Sequence, residues 1–158
     1  MSKPIDLFFS YSHKDESLRD ELATHLKLIE REGVIRGWHD RRIGAGDDWK
    51  NAIDEHLERA GVVLLLVSAD FIASDYCYDL EMKRALVRRE AGNAIVIPVI
   101  VRTCEWAQAP FSQIQALPRD GKAVTSWSNR DEAWTDVAKG IRAAVQQLHQ
   151  ADVPPPLR

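Results

Sequence analysis

Gly61–Val67 reads GVVLLLV, with six apolar residues in a row closed by Ser68-Ala69-Asp70. A run this short and this uniformly apolar is a strand covered on both faces, as inside a parallel sheet. Working outward, Ile5–Tyr11 (IDLFFSY) is a second buried strand that ends in a Ser/His/Lys/Asp cluster. Ala94–Val101 (AIVIPVIV) is a third, in which Pro98 removes one ladder donor and points to an edge or a bulge. Val34–His39 and Val124-Thr125 are short candidates for two more. Helical spacing fills the intervals. Leu18, Leu22, Leu26 and Ile29 predict a helix stopped by Gly33. Asp47 or Asp48 caps a helix through Trp49, Ile53 and Leu57. Asp75–Arg89 predicts another, with Leu80, Ala85 and Leu86 facing inward, and Asp131 opens a last one through Val137, Ile141, Val145 and Leu148. Five alternations of strand and helix predict an α/β fold, a doubly wound five-stranded parallel sheet with helices on both faces.

The 158 residues suit one domain and suffice to bury a core without metal or disulfide staples. Hydrophobic content of 45% and charged content of 28% exclude disordered, collagen-like and coiled-coil chains. Twenty-one basic against 24 acidic side chains, a net charge of -3, leave no basic footprint for nucleic acid. No apolar run approaches the ~18 residues of a membrane helix, and no signal peptide precedes the first strand. Cys77 and Cys104 lack CxxC or Cys/His ligand spacing, which argues for a reducing, cytoplasmic setting and against a metal. Residues 1–150 are expected to form the domain. Residues 151–158, with Pro154-Pro155-Pro156, read as a proline-rich tail or the start of a linker.

In such a sheet with strand order 2-1-3-4-5, ligands bind at the carboxyl edge between the first and third strands. Ser10-Tyr11-Ser12-His13, Ser68-Ala69-Asp70, the loop Asp40–Trp49 and the start of the Asp75 helix all open there. Neither a P-loop nor a dinucleotide fingerprint is present, since Gly44-Ala45-Gly46 lacks the third glycine. Phe9-Ser10-Tyr11 contradicts a phospho-acceptor domain, and the absence of GxSxG argues against a nucleophilic hydrolase. What remains is a carboxylate in a cleft with aromatic neighbours. Such a group suits glycosidic cleavage, where it stabilises an oxocarbenium-like state. A glutamate on an amphipathic helix is more often a solvated face residue, and only the rim position favours chemistry.

Ile5-Asp6-Leu7-Phe8-Phe9-Ser10-Tyr11-Ser12, with Asp15 beyond, resembles the first box of the Toll/interleukin receptor (TIR) domain family. Trp38-His39-Asp40 with Ile43–Trp49 is similar to its second strand and following loop. Leu64–Phe71 and Ser74–Glu81 are similar to its third strand and the helix after it, and Ile97-Pro98-Val99 with Phe111 to its fourth-strand region. The resemblance spans about Ile5 to Leu148 and is to the bacterial type. It implies a flavodoxin-like sheet and one of two activities. Many bacterial and plant members cleave the nicotinamide–ribose bond of NAD+, giving ADP-ribose or a cyclic product, often in anti-phage defence; animal members are mainly non-catalytic assembly modules.

The resemblance also implies the site residues. The family's essential glutamate matches Glu81, although the usual Trp-Cys-x-x-Glu is here Tyr76-Cys77-Tyr78-Asp79-Leu80-Glu81, so Asp79 is a rival. Ser10, Tyr11, Ser12 and His13 match the strand exit that touches the nucleotide, though a lone His13 on a turn also reads as a solvent residue. Asp40 matches an acidic residue at the second-strand exit, or satisfies loop amides. Trp49 matches a stacking aromatic, or is a core residue. Tyr76 stacks on substrate or covers Glu81. NAD+ is expected as substrate, with no cofactor and no metal, and TIR–TIR self-association is expected through the Asp40–Asp48 loop, without nucleic acid or membrane.

Overall fold

The computed structural model describes residues 3–38 and 55–151. Among these residues the sheet has four parallel strands, β1 (Ile5–Ser10), β2 (Ile35–Trp38), β3 (Val62–Val67) and β4 (Ile95–Ile100), in the order β2-β1-β3-β4. Leu7 lies opposite Gly37 on one side and Val62 on the other, which fixes the register at the centre. Each residue of β3 is buried, as its unbroken apolar run requires of a central strand.

On one face α1 (Glu16–His25), α2 (Lys27–Arg31) and the long C-terminal helix cover Leu7, Phe9, Leu64, Leu66 and Val99. The helix expected as one piece over Leu18–Ile29 is two, parted at Leu26, and ends at Gly33 with φ 76°, a conformation glycine adopts without penalty. On the other face Phe8, Val63, Leu65 and Val67 pack against α3 (Ala69–Ala73), a π-helical stretch (Asp75–Met82) and α4 (Lys83–Glu90). A helical turn at residues 55–59 joins this layer through Leu57. The C-terminal helix, α5, spans Arg130–Ala151.

Two expectations are corrected. Among the described residues no fifth strand forms: Val124–Ser126 is a 3-10 turn, and beyond β4 Leu117 alone bridges Val99. Leu117 donates to the Pro98 carbonyl and accepts from Ile100, but Pro98 has no N–H to give and Pro118 none to extend the ladder. Leu80 is not inward but 42% exposed, because the π-helical stretch turns Cys77, Glu81 and Met82 to the sheet instead. The expected helix of Trp49 and Ile53 and the tail from residue 152 lie outside the described residues. No helix among those described is long and apolar enough to cross a membrane.

Candidate active site

β1 ends at Ser10 beside β3, at the point where strand order reverses. Ser10 is fully buried, and its hydroxyl donates to Glu81 Oε1 at 2.8 Å. Glu81 itself is 1% exposed. Its position follows from the segment before it. The Ser68 hydroxyl caps α3 at the Phe71 amide, and the Ser74 hydroxyl caps the next helix at the Cys77 amide, both 3.1 Å. Asp75–Met82 then winds as a π-helix, a rare geometry that concentrates at functional sites. Cys77 and Glu81, four residues apart, both face the end of β1, and the Cys77 thiol donates to the Tyr11 carbonyl at 3.2 Å. The π-helical stretch therefore bonds the last residue of β1 and the first residue beyond it.

The remaining expected residues separate clearly. Tyr11 is buried on the opposite face of the sheet, under the Arg19 guanidinium at 5.1 Å from its ring centre. Ser12 caps the turn His13–Asp15 by accepting from the Lys14 amide, whereas His13 is exposed. Tyr76 is half-buried on the Glu81 side of the sheet. Asp79 points away and pairs with Lys83 at 3.6 Å, so the rival carboxylate is not at the end of β1. Asp40, Trp49 and the Asp40–Asp48 loop lie outside the described residues. No three His, Cys, Asp or Glu side chains among the described residues gather as a metal-ligand set, and both cysteines are free thiols.

The sequence reading missed a second cluster. Asp15 is fully buried and accepts at Oδ1 from Arg102 Nε, 2.7 Å away, and at Oδ2 from the Ser68 hydroxyl. Arg102 also pairs through Nη2 with Asp70, which Lys14 approaches from outside at 3.7 Å. The hydrogen bond from Arg102 holds the Asp70 carboxyl below its ordinary range, and those to Asp15 and Asp70 raise the guanidinium further. One signal was available. Asp70 and Arg102 are the first charged residues after two apolar strands, and they are of opposite sign at the same edge.

The sequence profile of the TIR domain matches residues 7–138. The chain belongs to the TIR domain family. A curated relative, the uncharacterized protein y4lF of Sinorhizobium fredii (strain NBRC 101917 / NGR234), is 55% identical over 152 residues, or 96% of this chain. The TIR chain spans about half, 47%, of that relative's length. Among solved structures, the TIR domain of the Toll-related receptor TRR-2 from Hydra magnipapillata aligns with a TM-score of 0.61. It covers 86% of this chain and 97% of that one at 19% identity, a likeness of fold alone. The TIR domains of the activated Roq1 resistosome, which recognises the pathogen effector XopQ, align at 17% identity over 94% and 99% of the two chains, with a TM-score of 0.44.

Proposed function

We propose that this TIR domain is an NAD+ glycohydrolase in which Glu81 is the reacting carboxylate. The observation that carries the reading is the carboxylate's place: buried on a π-helical stretch, bonded to Ser10, at the switch point of the sheet. Cleavage of the nicotinamide–ribose bond sends the bonding electrons to the nicotinamide nitrogen and leaves positive charge on the ribose. A fixed carboxylate opposes that charge more strongly away from water than in it. Ser10, by holding Oε1, orients the carboxylate before substrate arrives. Water then adds to the ribose to give ADP-ribose, or an adenine nitrogen adds to give a cyclic product. Ser12, His13, Asp40, Trp49 and Tyr76 are proposed to bind the dinucleotide, in a cytoplasmic setting of anti-phage defence or signalling; Tyr11, expected among them, has its ring buried on the other face of the sheet. No cofactor or metal takes part in the proposed reaction.

The test is release of free nicotinamide from NAD+ by the wild type and by Glu81→Gln. Gln keeps the size and hydrogen bonding of the side chain but loses its charge, so turnover is expected to fall by about 10²-fold or more with the fold unchanged. Turnover near wild type in the mutant would end the role assigned to Glu81.

A second reading, an assembly module, is favoured by the outer edge of β4. There a groove of about 670 Å³ is lined by Ile95, Ile97, Leu117 and, from α5, Ala143 and Ala144. A strand edge that, among the described residues, is bridged only at Leu117 and lies beside small apolar side chains suits a protein partner. On that reading the wild type releases no nicotinamide but self-associates in light scattering.

A further inference from the structure

We infer that Arg102 is a positioning residue for the Glu81 site, acting through Asp15 on the turn that leaves β1. The effect expected on turnover rests on the proposed role of Glu81; the effect on the turn itself does not. At one end of that turn, Ser10 and Tyr11 are bonded to Glu81 and to the Cys77 thiol. At its other end lies Asp15, whose carboxylate has no contact with water. The turn between them is closed on itself. The Asp15 amide donates to the Ser12 carbonyl at 2.8 Å, and the Lys14 amide to the Ser12 hydroxyl at 3.3 Å. A shift of Asp15 is therefore passed to Tyr11 and Ser10 rather than absorbed between them.

Asp15 is held from two other strand exits, by Ser68 after β3 and by Arg102 after β4. Arg102 places its Nε on Asp15 and its Nη2 on Asp70, so one planar guanidinium ties the exits of β1, β3 and β4 together. That geometry needs the rigid fork of arginine. A lysine supplies the charge from a single flexible point and cannot fix both carboxylates in direction. Arg102 is 36% exposed and stands on the rim of the sheet rather than in its core. It neutralises Asp15 at the boundary between the core and the site.

The Cys77 thiol gives the readout, because it is buried and bonded to the Tyr11 carbonyl, so that a shift of Tyr11 is expected to loosen it. In a Cys104→Ser background, Cys77 labelling by a small thiol reagent and nicotinamide release are measured for Arg102→Lys and for Asp70→Asn. The latter removes only the outer anchor of the guanidinium. In folded Arg102→Lys, labelling is expected to quicken at least about 10-fold, and kcat to fall about 10–10²-fold with KM nearly unchanged. Asp70→Asn is expected to show a smaller change in the same direction, and it decides the matter if Arg102→Lys does not fold. Unaltered labelling in a folded variant, or a lower melting temperature alone, overturns the positioning role. If Glu81→Gln leaves wild-type activity intact, the role assigned to Glu81 fails, while the labelling result still decides for or against Arg102.

Discussion

Arg19 lies on α1 with its side chain 8% exposed, stacked on Tyr11, its Nη2 paired with Asp20 at 2.9 Å. Its Nε and Nη1 are buried without a hydrogen-bond partner. Arg102 differs in making every hydrogen bond that Asp15 needs from a cation. These environments predict opposite outcomes for one substitution. Arg19→Met keeps the stem packed on the ring and removes two unsatisfied donors, so stability is expected to change by less than about 1 kcal/mol, in either direction. Arg102→Met leaves a buried carboxylate uncompensated and is expected to cost about 3 kcal/mol, at the lower end for a broken buried pair because water reaches the guanidinium. Urea unfolding of both variants checks this. Equal losses would mean that Arg19 carries a charge pairing as strong as that of Arg102.

At the scale of elements, the π-helical stretch decides which side chains enter the core. An ordinary apolar stripe through Asp75–Arg89 takes in Leu80, Ala85 and Leu86. The observed winding buries Cys77, Glu81, Met82 and Ala85, and leaves Leu80 in water. A polar carboxylate thus occupies a position that pattern reading assigns to the exposed face. Two substitutions separate the windings. Leu80→Gln is expected to change stability by no more than about 0.5 kcal/mol, as at an open surface position. Met82→Ala removes a fully buried side chain and is expected to cost about 2–5 kcal/mol. Chemical denaturation midpoints that ranked the two in reverse would return Leu80 to the core and Glu81 to the surface.

Across the whole molecule, the three groups held below their ordinary titration range, His56, Glu58 and Asp70, each weaken the fold in acid. Burial, reinforced by Arg59, pushes the His56 imidazole below its ordinary value of 6.5. Between those two values the unfolded chain holds a proton that the folded protein does not, so stability falls as pH drops below about 6.5. Asp70, held down by the hydrogen bond from Arg102, and Glu58, held down by that from Arg84, act lower. Their contributions are present above the ordinary values of 3.8 and 4.5 and are lost as pH falls through the depressed ones. The denaturation midpoint is therefore expected to decline in two stages, the first below about pH 6.5. His56→Gln should flatten that first stage alone. A midpoint constant from about pH 7 to 5 in the wild type would contradict the placement of His56.

The runs Val62–Val67 and Ile95–Ile100, and Leu7-Phe8-Phe9 within Ile5–Ser10, were legible as buried parallel strands because a strand covered on both faces is nearly all apolar wherever it folds. The end of the first helical region was equally local, since Gly33 alone takes a positive φ without strain there. Ser10 and Glu81 could be nominated from sequence, but their 2.8 Å contact joins residues 71 positions apart. No spacing rule reaches across a crossover connection. The absence of a fifth strand among the described residues, the π-helical phase that exposes Leu80, and the Asp15–Arg102 tie belong to the same class. Each depends on which groups the packed layers bring together. Periodicity tells which face of an element seeks the core, whereas hydrogen-bond partners distant in the chain are chosen only when the layers close and every buried polar atom must find one.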